Sequence, residues 1–199
     1  GVGYSTAEGL VGFLQVSDDN FLGRGQMVKA NVSLGRKLTS YEFEFYEPYI
    51  TKSGISLGTG LYRQTSEVKT IKPDTDQEFE SKRTSIGGNL TLGKPLSEFT
   101  RGRLTFKLEN NTYQPTEEGQ EWTPEDSKSR NVGIGLNTNT VDHPFFPTEG
   151  YKNDAYLELG TTLFGGSSAY AKLRLEHSRF FEVRDGGYVL AVRGLGGRL

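Results

Sequence analysis

Apolar and polar residues alternate with a period of two along almost the whole chain. Val28, Ala30, Val32 and Leu34 stand against Lys29, Asn31, Ser33 and Gly35, and Tyr41, Phe43 and Phe45 against Glu42, Glu44 and Tyr46. That spacing places successive side chains on opposite faces of a strand. The split recurs with Ile55, Leu57, Thr59 and Leu61, with Ile86, Gly88, Leu90 and Leu92, and with Leu104, Phe106 and Leu108. Further on it returns with Val132, Ile134 and Leu136, with Ala155, Leu157 and Leu159, and with Ala171, Leu173 and Leu175. Adding Gly1 to Ser5, Leu10 to Val16 and Tyr188 to Arg193, the pattern predicts about eleven antiparallel strands joined as a meander. No stretch of a dozen residues carries an apolar stripe at helical spacing with caps, so the class is all-β.

Alternation does not say which face is inside. A soluble sandwich hides its apolar face, whereas a membrane barrel turns that face to lipid and keeps the polar face in a lumen. The connections separate the two. After odd-numbered strands come two long acidic loops, Thr65 to Lys82 with five acids against three bases and Glu109 to Lys128 with six against one. After even-numbered strands the links are shorter and each carries aromatics: Phe21, then Tyr46 and Tyr49, then Phe99, then Phe145 and Phe146, then Phe180 and Phe181. Rings recurring at one end of successive hairpins form an interfacial girdle, because amphipathic aromatics favour headgroup depth. The expected fold is a transmembrane antiparallel β-barrel. The competing reading is a soluble β-sandwich binding or adhesion domain, with Trp122 and the acidic segments forming its site.

Charge alters this picture little. The 23 basic and 25 acidic residues balance, and Lys and Arg are not interleaved with stacking aromatics on one face, so no nucleic-acid partner is indicated. Arg103, Lys107, Lys172, Arg174 and Arg193 fall on the polar face, where they would line a lumen or pair with Glu42, Glu44, Glu158 and Glu176. Enzymatic chemistry has no foothold. Cysteine is absent, His143 and His177 lie far apart, the acidic segments lack calcium-loop spacing, and no nucleophile-elbow motif occurs, so no cofactor or metal is expected. The longest apolar runs are far below the roughly 18 residues of a membrane helix. The start Gly1-Val2-Gly3-Tyr4 has no initiator Met, basic region or apolar run, so any targeting segment is expected to lie outside this sequence.

Several motifs occur in a recognisable order. Gly3-Tyr4-Ser5-Thr6-Ala7-Glu8-Gly9 leads into a strand ending Asp18-Asp19-Asn20-Phe21-Leu22-Gly23-Arg24-Gly25. Tyr46-Glu47-Pro48-Tyr49 and Leu92-Gly93-Lys94-Pro95-Leu96 follow, and then Asp142-His143-Pro144-Phe145-Phe146-Pro147-Thr148-Glu149-Gly150. This succession resembles the BamA-type outer-membrane assembly-factor superfamily over nearly the whole chain. The last segment must turn, because Pro144 and Pro147 deny donors to a ladder and Gly150 permits positive φ. Asp142 has a ready role there as a turn-capping carboxylate.

The resemblance implies a sixteen-stranded barrel in the outer membrane of a diderm bacterium, of which residues 1–199 supply the first eleven strands as one partial domain. It implies membrane lipid, unfolded outer-membrane proteins and accessory lipoproteins as partners, and amino-terminal POTRA domains elsewhere in the protein. It further implies a weakly zipped seam at Gly1, Val2, Gly3, Tyr4 and Ser5, whose edge templates an incoming strand; the plain alternative is an ordinary barrel strand. A two-partner-type secretion transporter of the same superfamily remains open. Ala191-Val192-Arg193-Gly194-Leu195 imitates the family's lumen loop but alternates as strand eleven, and Leu195 stands where that loop has an aromatic.

Overall fold

The computed structural model describes residues 1–5, 9–73, 75, 77–118, 120–184 and 188–198. The strands are β1 (Val2–Ser5), β2 (Gly9–Phe21), β3 (Gln26–Gly35), β4 (Leu38–Glu47), β5 (Ser56–Ile71) and β6 (Glu78–Pro95). They continue with β7 (Thr100–Pro115), β8 (Ser127–Asn139), β9 (Gly150–Gly160), β10 (Tyr170–Arg184) and β11 (Tyr188–Arg198). All eleven form one antiparallel sheet in chain order, and among the described residues the single helical element is a 3-10 turn at Leu163–Gly165. The meander read from period-two spacing is the observed topology.

Register shows how the faces are sorted. One rung runs Leu57, Leu92, Leu104, Ile134, Leu157, Leu173 across six strands. The neighbouring rung runs Phe45, Thr59, Leu90, Phe106, Val132, Leu159, Ala171. This face is open: Leu61 is 62% exposed and Ile134 52%. Among the described residues no hydrophobic side chain is buried, and the buried side chains are Ser40, Ser81, Ser85 and Asn131. Burying one large aliphatic side chain gains roughly 1.5–3 kcal/mol. A sheet that forgoes this on every strand requires lipid against that face, and a soluble sandwich has no core to stand on here.

Strand lengths exceed the apolar stretches. β5 and β6 pair from Ser56 with Gly93 out to Ile71 with Glu78, so most of the first acidic segment is a ladder rather than a loop. Polar residues extend a hairpin above the bilayer at no desolvation cost, and Thr65, Val68 and Thr70 suit a strand. Beyond it Trp122 packs edge-on against Phe79, with ring centroids 5.6 Å apart, as part of the structure linking β6 to the β7–β8 connection. Strand β11 runs through Arg193 and Leu195 to Arg198, paired with β10. The Val-Arg-Gly segment is therefore strand, as its alternation required.

Candidate functional site

The shielded face carries a connected set of polar side chains. Arg103 on β7 reaches Asp154 on β9 at 3.3 Å, and Arg174 on β10 meets the same carboxylate at 3.0 Å. Arg103 crosses β8 where Gly135 stands, and a Cβ there would lie 2.5 Å from the Arg103 Nε. The same device serves three tyrosines. Tyr62 lies over Gly87 with its hydroxyl on Glu109, Tyr156 lies over Gly133, and Tyr170 lies over Gly160 with its hydroxyl 2.8 Å from Glu158. Arg103 also stacks on the Tyr156 ring at 5.1 Å. Glycine in a strand here marks close approach of a neighbouring side chain.

Of the five expected lumen cations, four pair with carboxylates. Lys107 meets Glu109 at 3.1 Å and Arg193 meets Glu176 at 2.8 Å, beside the two arginines on Asp154. Lys172 stands opposite Glu158 in the ladder without forming a bridge among the described residues. Of the acids expected as partners for these five, only Glu176 takes one up; Glu44 pairs instead with Lys29, at 3.9 Å. The acids that take up the other three are Asp154 and Glu109, neither of which the sequence singles out. Both stand on the polar face in sequence, but their pairing depends on reaching across a glycine or along two residues of one strand.

At the sheet edge, Gly1 and Phe13 exchange both backbone bonds, at 2.7 and 2.8 Å. Antiparallel alternation then gives Gly3 the same relation to Val11, and turns the N–H and C=O of Val2 and Tyr4 away from β2. Val2 and Tyr4 place side chains on the lipid face, in register with Gly12 and Leu10.

The turn between β8 and β9 is built around Asp142. Its carboxylate accepts from the Thr148 hydroxyl at 2.6 Å, the Thr148 amide at 2.9 Å and the Glu149 amide at 3.1 Å. His143 Nδ1 accepts from the Phe145 and Phe146 amides at 3.2 and 3.0 Å. Gly150 takes φ of 97°, and a Cβ there would lie 2.5 Å from the Thr140 carbonyl oxygen. Phe146 is exposed at this turn and Pro147 is half-buried. Hydrogen bonds from Thr148 and Glu149 hold the Asp142 carboxyl well below the usual carboxylate range. A depressed value stabilises the fold above the unfolded-state pKa and is lost as pH falls through the lower folded-state value. Amide protection at Thr148 is thus expected to stay constant from pH 7 to pH 4 and to fail only in stronger acid. Asp142→Ala should abolish that protection at neutral pH, which hydrogen exchange would read.

Phe21, Tyr49, Phe99 and Phe145 are exposed at the end of the sheet that carries the short turns. Phe180 differs. Its partners Gly150 and Ala191 lie on the shielded face, where Lys152 sits 5.9 Å from its ring, and Phe181 takes the lipid-facing position. Parity along β10, with Leu173, Leu175 and His177 outward, decides this.

An inside-out sheet with paired charges on its shielded face and rings at one rim defines the wall of a transmembrane β-barrel. Residues 20–198 match the Omp85 superfamily domain, and the chain belongs to that superfamily of outer-membrane β-barrel proteins of diderm bacteria. It is 24% identical over 172 residues to the outer membrane protein assembly factor BamA of Neisseria meningitidis serogroup B, covering 79% of this chain and 21% of that protein. It is also similar to the crystal structure of BamA from Haemophilus ducreyi lacking POTRA domains 1-3, with a TM-score of 0.72 and 22% identity over 98% of this chain and 40% of that one. The chain thus spans about a fifth of the length of the curated relative.

Proposed function

We infer that this chain forms the first eleven strands of a sixteen-stranded barrel that inserts and folds outer-membrane proteins, templating their strands at β1. Membership of the Omp85 superfamily and likeness to BamA support the general activity. The observation that carries the mechanism is the β1 edge, where Val2 and Tyr4 turn their backbone N–H and C=O groups away from β2. An incoming strand satisfies those groups with its own backbone, so its side chains matter little. Gly1 and Gly3 lower packing along β1 and favour opening. Unfolded outer-membrane proteins are the substrates and accessory lipoproteins the partners of this reading. The chemistry is non-covalent, so no catalytic group or cofactor is assigned.

In the full-length protein, cysteine introduced at Val2 or Tyr4 is expected to crosslink to a stalled barrel substrate. Capture confined to strands other than β1 would overturn the templating step. A secretion transporter would use free lumen cations along its path, whereas Arg103, Lys107, Arg174 and Arg193 are engaged by carboxylates. That pairing favours the insertase.

A further inference from the structure

On the lipid face the apolar columns end abruptly toward the long hairpins. In β5 the column reads Leu57, Thr59, Leu61 and then Arg63, Thr65, Glu67; in β6 it reads Leu90, Gly88, Ile86 and then Thr84, Lys82. Just above this boundary four threonines share one rung, Thr39, Thr65, Thr84 and Thr112. The Thr65 and Thr84 hydroxyls are 3.1 Å apart. They lie along a cavity of about 500 Å³ whose walls include Arg36, Lys37, Arg63 and Lys82. Among the described residues, Glu67 is the one carboxylate lining it and none of the four cations forms an ion pair.

Position and chemistry together select a ligand. Tyr41 and Ile86 share the rung of Arg63, so acyl chains end there, and the threonine rung stands about 7 Å higher, two residues along the strands. That is headgroup depth. Cations in excess over one acid attract phosphate, and Arg63 offers a forked donor suited to its oxygens. The threonine hydroxyls, Gln114 and Glu67 add acceptors that a phosphate cannot use but a sugar hydroxyl can. We propose that this cavity binds the phosphorylated sugar headgroup of a glycolipid in the leaflet on the hairpin side, fixing the barrel in that leaflet. The site lies on the lipid face of β4 to β7, apart from the β1 edge.

The full-length protein in detergent micelles is to be titrated with bisphosphorylated lipid A, its dephosphorylated counterpart, phosphatidylglycerol and inorganic phosphate, with bound lipid read by native mass spectrometry. Bisphosphorylated lipid A is expected to bind about tenfold tighter than the other two lipids, uncompeted by millimolar phosphate. Arg63→Gln with Lys82→Gln should weaken it about tenfold. Glu67→Gln should tighten it several-fold, a gain that misfolding does not produce. Competition by phosphate, equal binding of phosphatidylglycerol, or unchanged affinity in these variants would each overturn the assignment. Retention of heat-modifiable electrophoretic mobility verifies that each variant is folded, and crosslinking at Tyr4 should be unaffected.

Discussion

Ile134→Arg is expected to destabilise the membrane-inserted barrel by about 2–4 kcal/mol, the cost of a cation near the bilayer midplane on a lipid-facing strand. Ile134 sits centrally in the rung from Leu57 to Leu173, flanked by Leu104 and Leu157 in register. On a soluble protein the outcome would reverse. Ile134 is 52% exposed, and an exposed Ile to Arg change in water falls within about 0.5 kcal/mol. Lys172→Gln provides the comparison, since Lys172 stands on the polar face without an ion pair among the described residues and its loss is expected to cost under about 0.5 kcal/mol. Urea unfolding of the full-length protein from lipid vesicles measures both. Equal effects would refute the lipid-facing assignment.

Gly133→Leu should cost about 3 kcal/mol through the opposite face. A side chain at 133 meets the Tyr156 hydroxyl and ring, and overpacking a filled position typically costs 1–3 kcal/mol. Displacing Tyr156 also removes its stacking on Arg103, worth about 0.5–1 kcal/mol, and disturbs the hold of Arg103 on Asp154. The signature is coupling. With Tyr156→Ala already in place the same substitution should cost markedly less, a non-additivity of at least about 1 kcal/mol in a double-mutant cycle. Strict additivity would mean that Gly133 is needed for its backbone rather than for the ring above it.

These two positions also divide what can be read from the chain and what cannot. Ile134 announces itself, because period-two spacing with Val132 and Leu136 assigns its face without knowledge of any neighbour. Gly133 does not. In sequence it is one of 26 glycines, and its role exists only because Tyr156, 23 residues away, leans across the β8 strand. The Asp142 turn was legible for the first reason, since prolines, a glycine and a capping carboxylate act within nine residues. The face of Phe180 is hidden for the second, since proximity to a turn does not give the parity of a side chain. The length of the β5–β6 hairpin is not legible either, because its acids hide a strand whose apolar face is no longer needed above the membrane.

The sequence by itself determined the all-β class, the strand order and the polar–apolar sorting of each strand, because a pleated backbone converts alternation directly into faces. Only the tertiary structure decided that Asp154 is shared by two arginines, that tyrosines lie over glycines, and that four threonines meet in one rung among Arg36, Lys37, Arg63 and Lys82. Each of these depends on inter-strand register, and register is set by the whole ladder rather than by any local run of residues.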